Sequence, residues 1–234
     1  YGNEVEDVLD IVLFYDGIEQ KVRDLPINIQ IEYLIDEHFE LFRSKEFKLW
    51  RLQNIYSVAN KLGVKTKFIL NPAQKHFFDN YLSKGYMKII VLKSRQLGFT
   101  TLVALYFLDE IIFNPNREAL QIAHTLKDAT SLFTKKIQYA IRNLPPVITD
   151  LFKTDQNKSG RFQISTPTED GGKAVSAISV ANSARSGMYH YVHLSELAKL
   201  SKLYPLKADE VVTGTIPAVP ATNSLVIIES TAEG

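Results

Sequence analysis

The sequence contains few of the residues that build disulfide scaffolds or membrane spans. Its 234 residues include no cysteine, which excludes a disulfide framework and a cysteine-based zinc site. No apolar run approaches the roughly 18 residues that a membrane-spanning helix requires. Residues 1–10 have neither the basic nor the apolar stretch of a signal peptide. We therefore expect a protein of a reducing compartment with no membrane segment.

An excess of charge of either sign is also missing. The 27 Lys and Arg residues nearly balance the 26 Asp and Glu residues, which leaves a net charge of +1. Overall charge therefore does not indicate a nucleic-acid partner, and any DNA contact requires a local basic patch. Hydrophobic residues make up 45% of the chain and charged residues 23%, a composition typical of a folded globular protein rather than a disordered one.

Two regions differ in their pattern of apolar residues. Between 27 and 59 these residues recur at helical spacing, with Pro26 before them and Gly63 after them. This pattern predicts one long helix or two shorter ones in an N-terminal helical region, residues 1–70. Residues 71–234 instead combine short apolar runs with helical stretches, and we expect them to form a separate domain.

The second region has the alternating pattern of an α/β domain. Five short apolar runs suit buried parallel strands, namely 88–92, 119–123, 175–181, 189–194 and 225–229. Helical patterns occupy 72–82, 101–113 and 126–143, and polar, turn-rich segments predict loops at 155–160 and 166–173. Strands that alternate with helices predict a mostly parallel sheet flanked by helices.

One strand-to-helix turn has the pattern of a phosphate-binding loop. Its sequence is Lys93-Ser94-Arg95-Gln96-Leu97-Gly98-Phe99-Thr100-Thr101. At such a turn the backbone N–H groups of the helix N-terminus and the helix dipole both favour an anion. In the standard pattern G-x-x-x-x-G-K-[ST], Gly98 and Thr100 hold the second glycine and the hydroxyl position. Lys93 replaces the first glycine, and Phe99 replaces the lysine.

The loop nevertheless contains the groups that a magnesium triphosphate needs. Lys93 and Arg95 flank it and can neutralise the phosphates, while Thr100 can place its hydroxyl on Mg²⁺. The alternative is a basic strand-to-helix turn that binds no ligand.

A second candidate position is the acidic end of the strand at 189–194. Ligands of open α/β sheets lie at the carboxyl ends of the strands, so Glu196 is placed to activate a water molecule. Ser195 stands where a Walker B strand usually has aspartate, and it can reach Mg²⁺ directly or through water. The alternative for Glu196 is a surface carboxylate. His190 and His193, three residues apart, face opposite sides of a strand, so we expect packed or hydrogen-bonded histidines rather than a shared metal.

Four further residues have side chains suited to nucleotide chemistry. Gln74 begins a helix, and its amide can both donate to and accept from an adenine edge. Arg185 lies in a loop before the acidic strand, where an arginine can stabilise transition-state charge. Ser230 and Thr231 end the last strand and can sense the γ-phosphate. The alternatives are a helix-start glutamine, a solvated loop arginine and an ordinary strand end.

Over about residues 71–234 these segments, in this order, resemble the ATPase domain of the large terminase subunit of tailed bacteriophages. The loop looks like the family's deviant Walker A motif, in which the lysine is displaced to the front, as Lys93 is. The resemblance implies that Gln74 and residues 93–101 bind ATP and that Thr100 and Ser195 hold Mg²⁺. It also implies that Glu196 and Arg185 are catalytic, with Arg185 acting across a ring interface.

The same resemblance implies a fold, a function and partners. The fold would be an additional-strand, RecA-like P-loop NTPase, and Ser230 and Thr231 would couple hydrolysis to movement. The expected function is ATP-driven translocation of double-stranded DNA into a procapsid in the host cytoplasm. The expected partners are the portal protein, the small terminase subunit and further copies of this chain in a homo-oligomeric ring. The intact protein would add an RNase H-like nuclease, whose acidic cluster is not in this chain.

Two alternatives remain at the level of sequence. A superfamily-2-like helicase or translocase shares the ATP chemistry but needs a second RecA-like domain. A degenerate P-loop protein that binds DNA or a capsid partner without ATPase activity is favoured by Phe99 and Ser195. Magnesium-dependent nucleotide binding separates the enzyme from the second alternative.

Overall fold

The computed structural model of the chain describes residues 25–158, 160–168, 170–183 and 187–231, with the backbone alone described from 155 to 158. The chain divides into two compact units, Tyr1–Phe42 and Arg43–Gly234. None of the described helices is both long enough and apolar enough to cross a membrane.

Helix α1, Ile27–Arg43, accounts for most of the described part of the smaller unit. It begins after Pro26, whose carbonyl accepts the first helical hydrogen bond from Gln30 N at 3.0 Å. The helix is kinked at His38, where φ is −141° and ψ is 40°. The ring of Tyr33 packs edge-on against that of His38, with centroids 5.5 Å apart. The helix predicted from apolar spacing is therefore confirmed here, with a break in its second half.

The larger unit begins with a short helix and a hairpin. Helix α2 is Lys48–Asn54, β1 is Ser57–Ala59 and β2 is Lys65–Lys67, with the two strands antiparallel. The predicted helical stretch up to residue 59 is therefore wrong after Asn54. The turn explains the difference: Asn60 Oδ1 accepts hydrogen bonds from the N–H groups of Leu62 and Val64. Such Asx turns compete locally with helix formation.

The remaining strands in the described part of the chain form one seven-stranded sheet in the order β3-β9-β8-β4-β7-β6-β5. The strands are β3 Lys88–Lys93, β4 Glu118–Ile122, β5 Lys153–Lys158, β6 Arg161–Pro167, β7 Lys173–Ala181, β8 Tyr191–Ser195 and β9 Leu225–Thr231. From β3 to β7 every neighbouring pair is parallel. Strand β9 lies between the strand that leads into the phosphate loop and the strand that directly precedes Glu196, which is the additional-strand arrangement.

The far edge of the sheet differs from the prediction. Strand β6 pairs antiparallel with both β5 and β7. The loops predicted at 155–160 and 166–173 are therefore wrong in part, because β5 extends to Lys158 and β6 to Pro167. Strand β5 has the polar sequence KTDQNK and lies at the sheet edge, where pairing through backbone hydrogen bonds does not require an apolar run.

Helices cover the sheet as the alternating pattern predicts. They are α3 Pro72–Phe77, α4 Phe99–Phe113, α5 Leu126–Leu132, α6 Tyr139–Arg142, α7 Pro146–Thr149, α8 Leu197–Leu203 and α9 Pro205–Glu210. π-Helical turns at Phe78–Leu82, Phe133–Gln138 and Val211–Thr215 extend three of them. Helix α4 is buried on every side from Leu102 to Phe113, as expected of a helix that is apolar all round. It therefore gives the phosphate loop a rigid support.

A buried ionic cluster joins α2 to α4. Arg51 is fully buried and donates to both carboxylate oxygens of Asp109, at 3.0 Å from Nε and 2.7 Å from Nη2. Tyr56 Oη donates to the same carboxylate at 3.2 Å. One turn earlier on α2, Lys48 pairs with Glu110. Burial lowers the pKa of Lys48 to about 7, although the Asp109 charge opposes this shift.

Replacing Asp109 with asparagine is expected to lower the free energy of unfolding by about 3–5 kcal/mol, because it removes the buried charge that pairs with Arg51 between α2 and α4. Asp79→Asn is the matched control, since its partner Lys75 is on an exposed face, and it should cost less than about 0.5 kcal/mol. Urea denaturation of both variants measures the difference. Equal losses would contradict a structural role for the cluster.

Candidate active site

Three adjacent parallel strands bring the predicted residues to one edge of the sheet. Lys93, at the end of β3, lies in register with Thr231 at the end of β9. On the other side of β9, Ser195 at the end of β8 lies in register with Glu229. The carboxyl ends of these strands therefore form a single polar edge, the position at which open α/β sheets bind ligands.

The backbone of the loop is wound into the shape of a phosphate cradle. Gln96 and Gly98 both have positive φ, at 66° and 73°. Gly98 is the N-cap of α4, and its carbonyl accepts from Thr101 N and Leu102 N, each at 3.1 Å. A positive φ at a non-glycine residue costs conformational energy and is found preferentially at ligand sites. The exposed part of the loop, residues 94–96, precedes this helix N-terminus.

Side chains at the start of helix α3 hold the loop by hydrogen bonds to its backbone, a contact that we call the brace. Asn71 caps that helix and donates from Nδ2 to the Leu97 carbonyl at 3.0 Å. Gln74 is 3% exposed and donates from Nε2 to the Gly98 carbonyl at 2.8 Å, while its Oε1 accepts from Asn71 N at 3.0 Å. Both ends of the Gln74 amide are therefore engaged with the protein, and the adenine-binding role of this residue stays a prediction.

Phe99 occupies the position of the usual loop lysine, but its side chain is part of the core. It is 7% exposed, and its ring packs edge-on against Phe77 of α3, with centroids 5.1 Å apart. Because the ring lies in the core, only the backbone of Phe99 can contact a ligand of the loop. The cation of the site must therefore come from another position, and Lys93 provides one.

Gly98 is expected not to tolerate alanine. A Cβ atom there would lie 2.8 Å from Gln74 Nε2, at a φ that L-residues rarely adopt. The brace would have to shift, so we expect Gly98→Ala to weaken binding of ADP by about tenfold or more, equivalent to about 1.4 kcal/mol. Gly85→Ala is the matched control, because Gly85 has φ +71° but no atom within 4 Å of its Cβ position. Fluorescence titration should show unchanged ADP affinity in the control, and an equal loss in both variants would contradict the brace.

Lys93 and Glu196 face each other across the edge. Lys93 Nζ lies 3.5 Å from Glu196 Oε1, and the two side chains are 7% and 26% exposed. Glu196 itself has φ 61° and ψ 50°, and its N–H donates to the Glu229 carbonyl at 2.8 Å. This left-handed geometry at a non-glycine residue holds its carboxylate at the strand end and is again typical of a functional position.

The end of β9 holds the other oxygen of the same carboxylate. Thr231 donates to Glu196 Oε2 from its hydroxyl at 2.8 Å and from its backbone N–H at 3.2 Å. Ser230 Oγ accepts from Ala198 N at 3.2 Å, in the first turn of α8. The two hydroxyl residues therefore link β9 to the acidic residue and to the helix that follows it.

Glu229 is a site residue that sequence reasoning missed. It is fully buried in β9, accepts a hydrogen bond from Thr100 Oγ1 and another from Ser195 Oγ at 3.3 Å, both at Oε1. Burial alone raises the pKa of Glu229, but hydrogen bonding and charge from His193, with help from Thr100 and Lys93, hold that pKa below its usual value. The signal in the sequence was a carboxylate within an otherwise apolar strand.

The two histidines are hydrogen-bonded, as predicted. His193 is fully buried, with Nδ1 3.2 Å from Gln121 Nε2 and Nε2 3.4 Å from Glu229 Oε1. His190 Nδ1 accepts from Glu118 N at 3.2 Å. Within the described ranges no group of three or more His, Asp or Glu side chains is arranged to hold a metal ion. Arg185 lies outside the described residues, so its predicted role stays a prediction.

The sheet order, the loop at the N-terminus of a buried helix and the carboxylate opposite it together define a P-loop ATPase domain of the RecA-like, additional-strand class. The chain also matches the family model "Phage terminase large subunit gpA, ATPase domain" over residues 60–212, which is more than half of its length. It belongs to that family. The matched range includes the loop and Glu196 but ends before β9.

Solved structures agree on the fold. The large terminase ATPase domain of Thermus phage P74-26 is 16% identical, with a TM-score of 0.50 over 63% of this chain and 60% of that one. The large terminase of bacteriophage HK97 is also 16% identical, with a TM-score of 0.56 over 80% of this chain and 37% of that one. No curated protein sequence matches. The chain thus spans less than two thirds of each of these structures, and identities this low show the fold alone.

Proposed function

We propose that this chain is the ATP-hydrolysing part of a phage packaging motor that translocates double-stranded DNA into a procapsid. The observation that carries the proposal is the position of Glu196, whose carboxylate contacts Lys93 on one side and Thr231 on the other. One contact joins it to the phosphate loop, and the other joins it to the last strand. A movement of this carboxylate during ATP hydrolysis can therefore be transmitted to the rest of the domain through β9.

In this proposal the loop holds the triphosphate of ATP. The backbone N–H groups before α4 and the Lys93 ammonium neutralise the β- and γ-phosphates. Arg95 is exposed on the same loop and adds charge from the solvent side. The Glu196 carboxylate orients a water molecule for in-line attack on the γ-phosphorus and accepts its proton. As the new P–O bond forms, the bond between the γ-phosphorus and the bridging oxygen breaks, which releases ADP and phosphate.

The residues at the edge fit a magnesium ion. Thr100 and Ser195 both bring a hydroxyl group to Oε1 of the buried Glu229 carboxylate, and oxygen groups of this kind are what Mg²⁺ prefers. When bound, Mg²⁺ neutralises charge that develops on the phosphate oxygens. Thr100 is the proposed direct ligand, and Ser195 is the neighbour that orients it or a bound water.

The remaining roles follow the family. Gln74 is proposed to recognise adenine, which requires its amide to leave the Gly98 carbonyl when nucleotide binds. Arg185 is proposed to complete the site of a neighbouring subunit as an arginine finger. This role requires a homo-oligomeric ring, with the portal protein and the small terminase subunit as further partners in the host cytoplasm.

Double-stranded DNA is expected to stimulate ATP hydrolysis by the intact large subunit, whereas hydrolysis by a DNA-independent ATPase would not change.

Thr231→Val removes the hydroxyl that holds Glu196 and keeps the side-chain volume. We expect it to lower kcat by about tenfold with little change in KM, since loss of one hydrogen bond to a charged group costs about 1.5–3 kcal/mol. It should also reduce the stimulation by DNA.

The control for this assay is Thr213→Val. Thr213 is exposed in the π-helical turn after α9, and its hydroxyl donates locally to the Asp209 carbonyl at 2.7 Å. ATP hydrolysis is measured for each protein with and without DNA. A wild-type rate that does not respond to double-stranded DNA would contradict translocation, and an unchanged kcat in Thr231→Val would contradict coupling through β9.

A further inference from the structure

We propose that Glu229 supplies, from the additional strand β9, the carboxylate that this site lacks at Ser195. In P-loop NTPases the magnesium ion is held by the loop Ser or Thr together with an aspartate at the end of the acidic strand. Here that strand ends with Ser195, which has no charge. The inference deepens the proposed function, because it assigns a positioning residue to the proposed ATP site.

The first support is geometric. Glu229 Oε1 accepts hydrogen bonds from the hydroxyl of Thr100, on the phosphate loop, and from the hydroxyl of Ser195, on β8. One carboxylate oxygen thus fixes the orientation of both hydroxyls that are proposed to organise the metal. With their protons donated to Glu229, the lone pairs of the two hydroxyl oxygens remain available for a cation or its bound water.

The second support is the state of the other oxygen. Glu229 Oε2 is buried and has no hydrogen-bond partner in the part of the chain that the structure describes. A buried charged oxygen without a partner is costly, so a purely structural carboxylate would normally be satisfied by the protein. This unsatisfied oxygen, beside two hydroxyls at the nucleotide edge, is consistent with a group whose partner is a bound cation's water shell.

The third support is the register of the sheet. Ser195 and Glu229 are directly paired neighbours on β8 and β9. Moving the carboxylate from the usual position at the end of the acidic strand to its partner on the next strand is therefore a displacement by one strand spacing, roughly 4.8 Å. The longer glutamate side chain can cover part of that distance, which an aspartate at the same position would not.

His193 is a further neighbour of the Glu229 carboxylate. His193 Nε2 lies 3.4 Å from Oε1, and His193 Nδ1 is in turn bonded to Gln121 on β4. A chain of buried polar groups thus runs across three strands to the carboxylate. Outer groups of this kind orient metal-binding residues, and their loss typically costs 10–100-fold in metal affinity.

The test compares nucleotide binding with and without magnesium. Fluorescently labelled ADP is titrated into the chain in MgCl₂ and in EDTA, and the ratio of the two affinities is the magnesium enhancement. We expect Glu229→Gln to reduce this enhancement by about 10–100-fold, with the affinity in EDTA changed by less than about twofold. Manganese affinity, measured by electron paramagnetic resonance in the presence of ADP, should fall in parallel.

Two further variants control for structure and charge. Glu118→Gln changes a different, half-buried carboxylate of the sheet, which is on β4 and paired with Arg161 on β6, and should keep the wild-type enhancement. Ser195→Asp combined with Glu229→Gln returns the charge to the usual strand and should recover most of the enhancement. Ser195→Asp alone places two carboxylates side by side, so its thermal midpoint should lie below that of the double variant.

The outcomes separate this inference from the proposed function. A wild-type chain without any magnesium enhancement would contradict the ATP site itself. A wild-type enhancement that persists in Glu229→Gln, or that the double variant fails to recover, would overturn the role of Glu229 alone. Should Glu229→Gln not fold, the double variant decides: folding with wild-type enhancement supports the transfer of charge, and failure to fold or to respond to magnesium overturns it.

Discussion

Replacing Glu196 with glutamine is expected to lower the rate of ATP hydrolysis by about 10³-fold while nucleotide binding persists. Glutamine keeps the length of the side chain but cannot take up a proton or carry the charge that faces Lys93 at 3.5 Å. It also turns one of the two carboxylate oxygens into an amide nitrogen. The Thr231 hydroxyl and backbone N–H both donate to Oε2. The backbone N–H can donate only to the oxygen that glutamine keeps, which favours the conformer with that oxygen facing Thr231.

The matched control for this change is Glu210→Gln, on the exposed end of α9. Single-turnover hydrolysis of ATP, with binding measured separately by fluorescence, distinguishes a chemical defect from a binding defect. We expect the control to hydrolyse ATP at the wild-type rate. A variant at Glu196 that hydrolyses ATP within about tenfold of wild type would exclude this carboxylate as the group that activates water.

Replacing Lys93 with methionine is expected to produce the second-largest loss, a decrease in ATP affinity of about 10–100-fold, because hydrogen bonds from charged groups contribute about 1.5–3 kcal/mol. The Lys93 side chain is only 7% exposed and lies at the end of β3 opposite Glu196. Its charge is therefore fixed where the β- and γ-phosphates are proposed to bind. Methionine preserves most of the aliphatic stem and removes the ammonium group.

Two further methionine substitutions on the same segment test whether the loss of affinity is specific to Lys93. Arg95 is exposed on the loop, so Arg95→Met should weaken binding by less than Lys93→Met. Lys88→Met, at the opposite and exposed end of β3, should leave the affinity unchanged. Calorimetric titration with an ATP analogue measures all three, and a larger loss in Arg95→Met would transfer the main role to Arg95.

Much of the fold could be predicted from local patterns, because buried parallel strands have short, continuous apolar sequences. Strands β3, β4, β8 and β9 were located to within one or two residues in this way. Strand β5 was missed for a physical reason: it is a polar edge strand whose pairing depends on its neighbour. The hairpin at Ser57–Ala59 was missed because the Asn60 turn overrides a helical apolar spacing that continues into it.

The site was predictable where a single strand end determines the position of a residue. Lys93, Glu196 and Thr231 all follow from the rule that ligands bind at the carboxyl ends of parallel strands, and the structure brings them together. The role of Phe99 as a core residue follows only from its packing on Phe77. That contact joins two helices separated in sequence, and no local pattern contains it.

The position of Glu229 in the site could not be predicted from the sequence. Its place in the site depends on the order β3-β9-β8 and on the register that pairs it with Ser195. Neither can be read from one strand alone. A carboxylate in the middle of an apolar strand is nevertheless a signal, because its burial requires partners, and here those partners are hydroxyl groups of the loop and of the acidic strand.

The most direct measurement of the central claim is a crystal structure of the chain with Mg²⁺ and a non-hydrolysable ATP analogue. We expect the triphosphate to lie within the turn from Lys93 to Thr100, with the Glu196 carboxylate facing the γ-phosphate. A nucleotide bound elsewhere, or a loop that stays empty at saturating analogue, would contradict it.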